Sequence, residues 1–517
     1  MDVPAESGPL DDPDVDDQAN LMEFAFGTDP RSGTGSVTAL VFPQVNDETD
    51  SVFAVEILEQ EGHQSGIQID LELSRSLTNW FRPWWLRTVI SSQPGDPTNS
   101  VRELFTTVLA TNAPWFVRSR VQLLETGPEA ARIYVATNGL DTNPGTFAQP
   151  YRSLHKAVSV VRTGDLIYVR GGFYLTNAVL NIRTNGTAAN PIRLRAYPGE
   201  HPILSFSNQT FSSSNRGINL IASWWRIYGL EIAGAGDNGM NITGHNNIIE
   251  LCVFRDNRDT GLQITGPGST NLILNCDSYH NNDPTSENAD GFAPKLAGLG
   301  AGNVFRGCRA WENADDGWDL YAAPHPVLME NCWAFRNRFY GPNGDGNGFK
   351  LGGVDNNAGT NIAAPHILVN CVAFLNPHHG FDQNNNSTTQ TVDNCTAWAN
   401  GAAAGGSGHN FNLNHGPVVT HILRNNLSIN GTVSTNTISI LISNSWQVVT
   451  SPAASTNDLL SVDTSWALAP RRDDGSLPES PFLRPVPNGR LVDKGADIGN
   501  SFQGPAPDLG AFETPAW

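Results

Sequence analysis

Six cysteines in this chain are each followed, five residues later, by an asparagine, and this pairing constrains the fold more than any other feature. The pairs are Cys252 and Asn257, Cys276 and Asn281, Cys308 and Asn313, Cys332 and Asn337, Cys371 and Asn376, and Cys395 and Asn400. Successive cysteines are 24, 32, 24, 39 and 24 residues apart. A constant short unit with variable insertions is what stacked coils with loops on one side produce. A second mark keeps step with the first: Gly261-Leu262, Gly291-Phe292, Gly317-Trp318, Gly348-Phe349 and Gly380-Phe381. Together the two marks set a register in which equivalent residues of neighbouring coils lie roughly 4.8 Å apart. The apolar residues then stack inside, and the chain is expected to form a parallel β-helix of about ten coils.

In that register the asparagines form a side-chain amide ladder in one turn, since Asn tolerates turn backbone and bonds along a stack. The cysteines form an interior column and act as small apolar residues. Their parallel side-chain vectors make disulfide geometry awkward. The β-helix is expected over 128–517. Near its start, Ser153 to Val161 reads as a short helix capping the open end of the core, and Leu166-Ile167-Tyr168-Val169 as an early strand.

Ahead of it, residues 1–19 are acidic and proline-bearing and read as a flexible segment. Residues 20–127 read as a small β-sandwich-like accessory module. Ile67 to Leu73 alternates apolar with polar, and Trp115 to Val121 reads as a second strand. Trp80, Trp84 and Trp85 in this module suit core packing, with sugar binding as the alternative use of their rings. The 50 glycines, 33 prolines and only 16% charged residues fit short strands and turns. A net charge of −20 argues against nucleic acid as a partner, and no apolar run reaches membrane-spanning length. The opening Met1-Asp2-Val3-Pro4 lacks the segments of a signal peptide and reads as a mature end behind an added Met.

The register also aligns chemistry. Immediately before the repeat glycine come Thr260, Asp290, Asp316, Asn347 and His379; two positions after it come Gln263, Ala293, Asp319, Lys350 and Asp382. Asp290, Asp315, Asp316 and Asp319 therefore converge on two adjacent coils, with Lys350 on the next coil beside Asp319. Carboxylates this close raise one another's pKa, and a hard divalent cation with oxygen ligands relieves the repulsion. The alternative is a set of turn-forming aspartates scattered over a polar face.

The segments Asn288 to Lys295, Asp315 to Leu320, Gly346 to Gly353 and Gly380 to Asn386 resemble the signature segments of the family 9 pectate lyases. The resemblance runs from about residue 130 to about residue 515 and leaves the N-terminal module outside. It implies a right-handed parallel β-helix that cleaves pectate-type uronate polymers by β-elimination. It also implies Ca2+ held by Asp290, Asp315, Asp316 and Asp319, with Lys350 as the base. A free lysine, with a pKa of about 10.4, is almost wholly protonated at neutral pH, so an alkaline optimum is expected. Arg306, Arg309, Arg336 and Arg338 are candidates for gripping uronate carboxylates, and Lys295 is a further substrate-binding candidate. An acidic polysaccharide is the expected partner, met outside the cell by a monomer. A glycoside hydrolase on the same fold, and a non-catalytic binding or adhesin-type β-helix, are the rival readings.

Overall fold

The computed structural model describes residues 132–353, 362–401, 408–472, 475–500 and 502–514, together with the backbone of six strands between Leu40 and Leu123. The chain divides into two compact units, Met1–Glu129 with Arg471–Ser476, and Ala130–Pro470 with Leu477–Trp517.

In the first unit the strands are antiparallel. Leu40–Val45, Asp50–Gln60, Ser100–Ala110 and Leu86–Ile90 form one sheet in that order, and Ile67–Ser74 pairs with Phe116–Leu123 in another. Both strands expected from sequence are present. The acidic segment 1–19 and the three tryptophans lie outside the described residues.

The second unit is built from three parallel sheets. The first has twelve strands, from Arg132–Val135 to Ile440–Ile442; the second has ten, from Gly172–Leu175 to Leu427–Ile429. The third also has ten, from Leu180–Ile182 to Val433–Thr435. Each complete coil contributes one strand to each sheet, as the repeat requires, and the first sheet gains one further strand at each end. The pairing follows the sequence register residue for residue: Leu262 with Phe292, Phe292 with Trp318, Trp318 with Phe349, and Phe349 with Phe381. These rings stack along the interior at centroid distances of 4.9, 4.8 and 5.1 Å, and Phe411 continues the stack at 4.9 Å. Helix Leu154–Val160, capped by Ser153, buries Leu154 and Ala157 against the core at its first coils.

The repeat glycine is required by space. A Cβ on Gly317 would lie 2.5 Å from the Gly348 carbonyl oxygen and 2.9 Å from Ala334 Cβ. The asparagine ladder runs through all six predicted residues and ends on Asn410, with amide-to-carbonyl distances of 2.9 to 3.1 Å. Its turn differs from the expectation in one respect. The left-handed backbone belongs to the residue before each asparagine, such as Asp256, Glu312 and Arg336. The asparagines are there for their amides. All six cysteines are buried, and none forms a disulfide.

Outside the second sheet a further stack, Trp311, Phe335, Phe374 and Trp398, is covered by the C-terminal segment through Phe482, Leu483, Leu491 and Leu509. The third sheet carries the acidic residues.

Candidate active site

Each residue in the column before the repeat glycine does the same structural task. Asp290 Oδ1 accepts the Asp316 backbone N–H at 3.2 Å, and Asp316 Oδ1 accepts that of Asn347 at 2.6 Å. Asn347 Oδ1 then accepts from His379 N at 3.1 Å, and His379 Nδ1 from His409 N at 2.9 Å. One side-chain acceptor thus holds the next coil in place. A carboxylate has a second oxygen to spare, so only the two aspartates of this column offer negative charge beyond what the turn consumes.

The carboxylates converge. One oxygen from each of Asp290, Asp315 and Asp316 lies within 4.8 Å of the other two. Asp290 and Asp316 are fully buried and Asp315 nearly so. Asp316 Oδ2 is buried and accepts no hydrogen bond; the ammonium of Lys350 lies 3.3 Å away. An all-oxygen donor set with a buried, unsatisfied carboxylate oxygen suits a hard divalent cation such as calcium. Asp319 stands slightly apart. Its Oδ1 accepts the Tyr321 N–H at 3.0 Å, and its Oδ2 lies 2.9 Å from Lys295 Nζ.

Two lysines offset part of the charge. Lys295 Nζ bridges Asp290 and Asp319, at 2.9 Å from each. Lys350, in register with Asp319, reaches Asp316 and also Asp345 at 2.8 Å. Burial pushes the Asp290 and Asp316 carboxyls well above the usual range, and lifts Asp315 to about 6. Burial also acts on Asp319, but the ammoniums of Lys295 and Lys350 outweigh it and hold that carboxyl below its ordinary value. Burial alone would lower both lysines; the surrounding carboxylates outweigh it and raise them well above the ordinary lysine range.

The structure sets the candidate substrate-binding cations in different surroundings. Lys295, expected to bind substrate, is held inside the acidic cluster with its side chain 15% exposed. Arg309 is buried: its guanidinium clasps Asp277 at 2.7 and 2.8 Å and donates to the Ala467 and Ala469 carbonyls at 2.9 Å. It latches the C-terminal segment to the second sheet and has no donor turned to the acidic site. Arg306 lies on the first sheet, paired with Glu330, and Arg336 bonds Glu312 and Thr464 on the second-sheet side. Arg338 alone among the four belongs to the loop beside the site, with Nη2 donating to Pro342 O at 2.6 Å.

Asp345 was missed by the sequence reading. It sits in the insertion between Asn337 and Gly348; its N–H bonds Asp315 Oδ1 at 2.5 Å while its carboxylate meets Lys350. A second cluster, His379, Asp382 and His415, lies on the coils beyond Lys350, with His415 Nδ1 3.1 Å from Asp382 Oδ1. His379 Nδ1 accepts a backbone N–H, and its Nε2 lies 3.0 Å from Asn412 Nδ2, which also donates to Asp382 Oδ1.

The fold, together with the relatives that it resembles, marks this chain as a β-helical polysaccharide lyase. Residues 133–426 match the family described as Pel9A-like, right-handed β-helix region. Pectate lyase L of Dickeya chrysanthemi is 39% identical over 407 residues, covering 75% of this chain and 92% of that protein. Pectate lyase PEL9 of Emericella nidulans is 36% identical, covering 69% and 93%. The crystal structure of pectate lyase Pel9A superposes with a TM-score of 0.68 at 37% identity, over 75% of this chain and 97% of that one. A rhamnogalacturonan lyase superposes at 0.63 with 28% identity, over 69% and 97%. The chain belongs to the Pel9A-like family of right-handed β-helices.

Proposed function

We propose that the protein is a calcium-dependent pectate lyase in which Lys350 is the base. The observation that supports the reading is the buried Asp316 Oδ2, which accepts no hydrogen bond and has Lys350 Nζ 3.3 Å away, so that a cation bound at that oxygen would stand beside the amine. Asp290, Asp315 and Asp316 would hold the ion, with Asp319 completing the set. A calcium ion bound there would engage the C6 carboxylate of a uronate residue and stabilise the negative charge that develops beside it. Lys350 Nζ, as the neutral amine, takes the C5 proton. The C5–H electron pair forms the C4–C5 double bond, the C4–O bond breaks, and the departing oxygen is protonated by water. Lys295 keeps Asp290 and Asp319 paired while this occurs. Asp345 holds Lys350 as an ammonium until a cation and a substrate carboxylate compete for its partners.

The relatives named as pectate lyases favour polygalacturonate as the substrate, handled outside the cell by residues 128–517, with 20–127 as an accessory module. The test is ultraviolet absorbance of the unsaturated product on polygalacturonate at alkaline pH. Absorbance should rise with calcium and stay flat with chelator. A rise on rhamnogalacturonan alone would move the substrate, and a rise that survives chelation would overturn the calcium role.

A further inference from the structure

The insertion 338–347 reaches from the asparagine ladder to the base. At one end the backbone N–H groups of Arg338 and Phe339 both donate to the Asn313 carbonyl, at 2.7 and 3.0 Å. In the middle Asn343 Nδ2 donates to Thr285 O at 2.7 Å. At the other end Asp345 holds Asp315 and Lys350. A loop fixed at three places is a wall and not a flap.

That wall exposes two large rings where a soluble surface usually avoids them. Phe339 is 56% exposed and Tyr340 40%. They meet edge to face at 5.2 Å, and Phe339 is stacked on His280 at 5.8 Å. His280 is itself anchored 2.9 Å from Glu312 Oε2, so the rings rest on a fixed support. Neither ring belongs to the two buried aromatic stacks of the helix core and C-terminal segment. Tyr340 lies five positions before Asp345, a span of at most about 17 Å. A short stretch of polysaccharide covers that distance.

We propose that Phe339 and Tyr340 form a sugar-stacking subsite for a pyranose of the same uronate chain, away from the bond being broken. This rests on the lyase reading of the site. A pyranose presents an apolar C–H face, and a rigid exposed ring removes that face from water at little entropic cost. Arg338, on the same loop, has guanidinium donors beyond the one bonded to Pro342 and supplies the cation that a uronate carboxylate requires.

The test compares wild type with the double variant Phe339→Ala/Tyr340→Ala and the conservative Tyr340→Phe. Two readouts are taken: retardation in a polygalacturonate-containing native gel, and kcat against KM on oligogalacturonides of increasing length. Losing both rings should raise the polymer KM about tenfold with kcat changed less than twofold, and reduce gel retardation to match. The defect should grow with oligomer length, and Tyr340→Phe should behave as wild type. Unchanged retardation and unchanged KM at every length would overturn the subsite. So would an equal kcat loss at every length, which would mean that the rings only hold Asp345 in place. Gel retardation by the rings with no unsaturated product from any uronate polymer would leave the subsite standing and sink the lyase reading instead.

Discussion

Replacing Lys295 by methionine should make the acidic site depend on a metal ion for its stability. The ammonium lies 2.9 Å from both Asp290 and Asp319, each buried, and methionine keeps the bulk of the side chain without its charge. Removing one partner of a buried pair costs about 3–5 kcal/mol, because the remaining charge is left uncompensated. At about 2.1 cal/mol/K per residue over the roughly 380 residues of the second unit, that is a fall in Tm of about 4–6 °C. A divalent cation should recover much of it. The variant site carries one more net negative charge, so calcium binds it more tightly and contributes RT ln(1 + [L]/Kd), about 2.7 kcal/mol at a hundredfold excess over Kd. Differential scanning calorimetry in chelator and in millimolar calcium measures both terms. The gap between wild type and Lys295→Met should be wide in chelator and should shrink in calcium. An equal gap in both would refute the idea that Lys295 and the cation serve the same carboxylates.

Three further outcomes are expected. Gly317→Ala places a methyl 2.5 Å from the Gly348 carbonyl, and should destabilise by about 1–3 kcal/mol or more, read as a lower denaturant midpoint; an unchanged midpoint would show that the coils can part. Burial holds the His366 imidazole neutral, with its pKa lowered to about 3. Between the unfolded value near 6.5 and about 3 the unfolded chain binds a proton that the native chain does not, so stability falls as pH drops. The loss approaches about 4–5 kcal/mol at the bottom of that window, and a His366→Gln variant should show a shallower decline in urea titrations across pH. Arg309→Ala should lower Tm by several degrees and leave KM for polygalacturonate unchanged, since its donors are spent on Asp277 and the C-terminal segment; a raised KM would return it to the substrate.

The β-helix was legible because its marks recur with one residue type per column. Glycine is forced by the close approach of the next coil, and an aromatic fills the layer beneath it, so Phe292, Trp318, Phe349 and Phe381 could be aligned by eye. Lys350 beside Asp319 followed from that alignment alone. A second hydrogen-bonded column escaped notice because its residue types change while its task does not. Asn247, Asn271 and Asn303 bond in series, and further along His366, Gln390 and His421 fill the equivalent role. Asp345 escaped because an insertion has no neighbour in register to announce it. Lys295 follows the strand Phe292–Pro294, and its flexible stem carries its ammonium back into the cluster, a turn that the register alone does not announce. The surroundings of the arginines were hidden for a different reason. Arg309 and Arg336 meet residues 464–469, and a segment that folds back from beyond the repeat leaves no periodic trace in sequence.

The central claim is that Lys350 takes the proton, and the turnover of Lys350→Ala under saturating calcium tests it most directly. A general base typically contributes about 10²–10⁴-fold. The formation of unsaturated product on polygalacturonate should therefore fall by at least two orders of magnitude while calorimetric calcium binding persists. Turnover within tenfold of wild type at the same pH would contradict the account and assign the proton to another group.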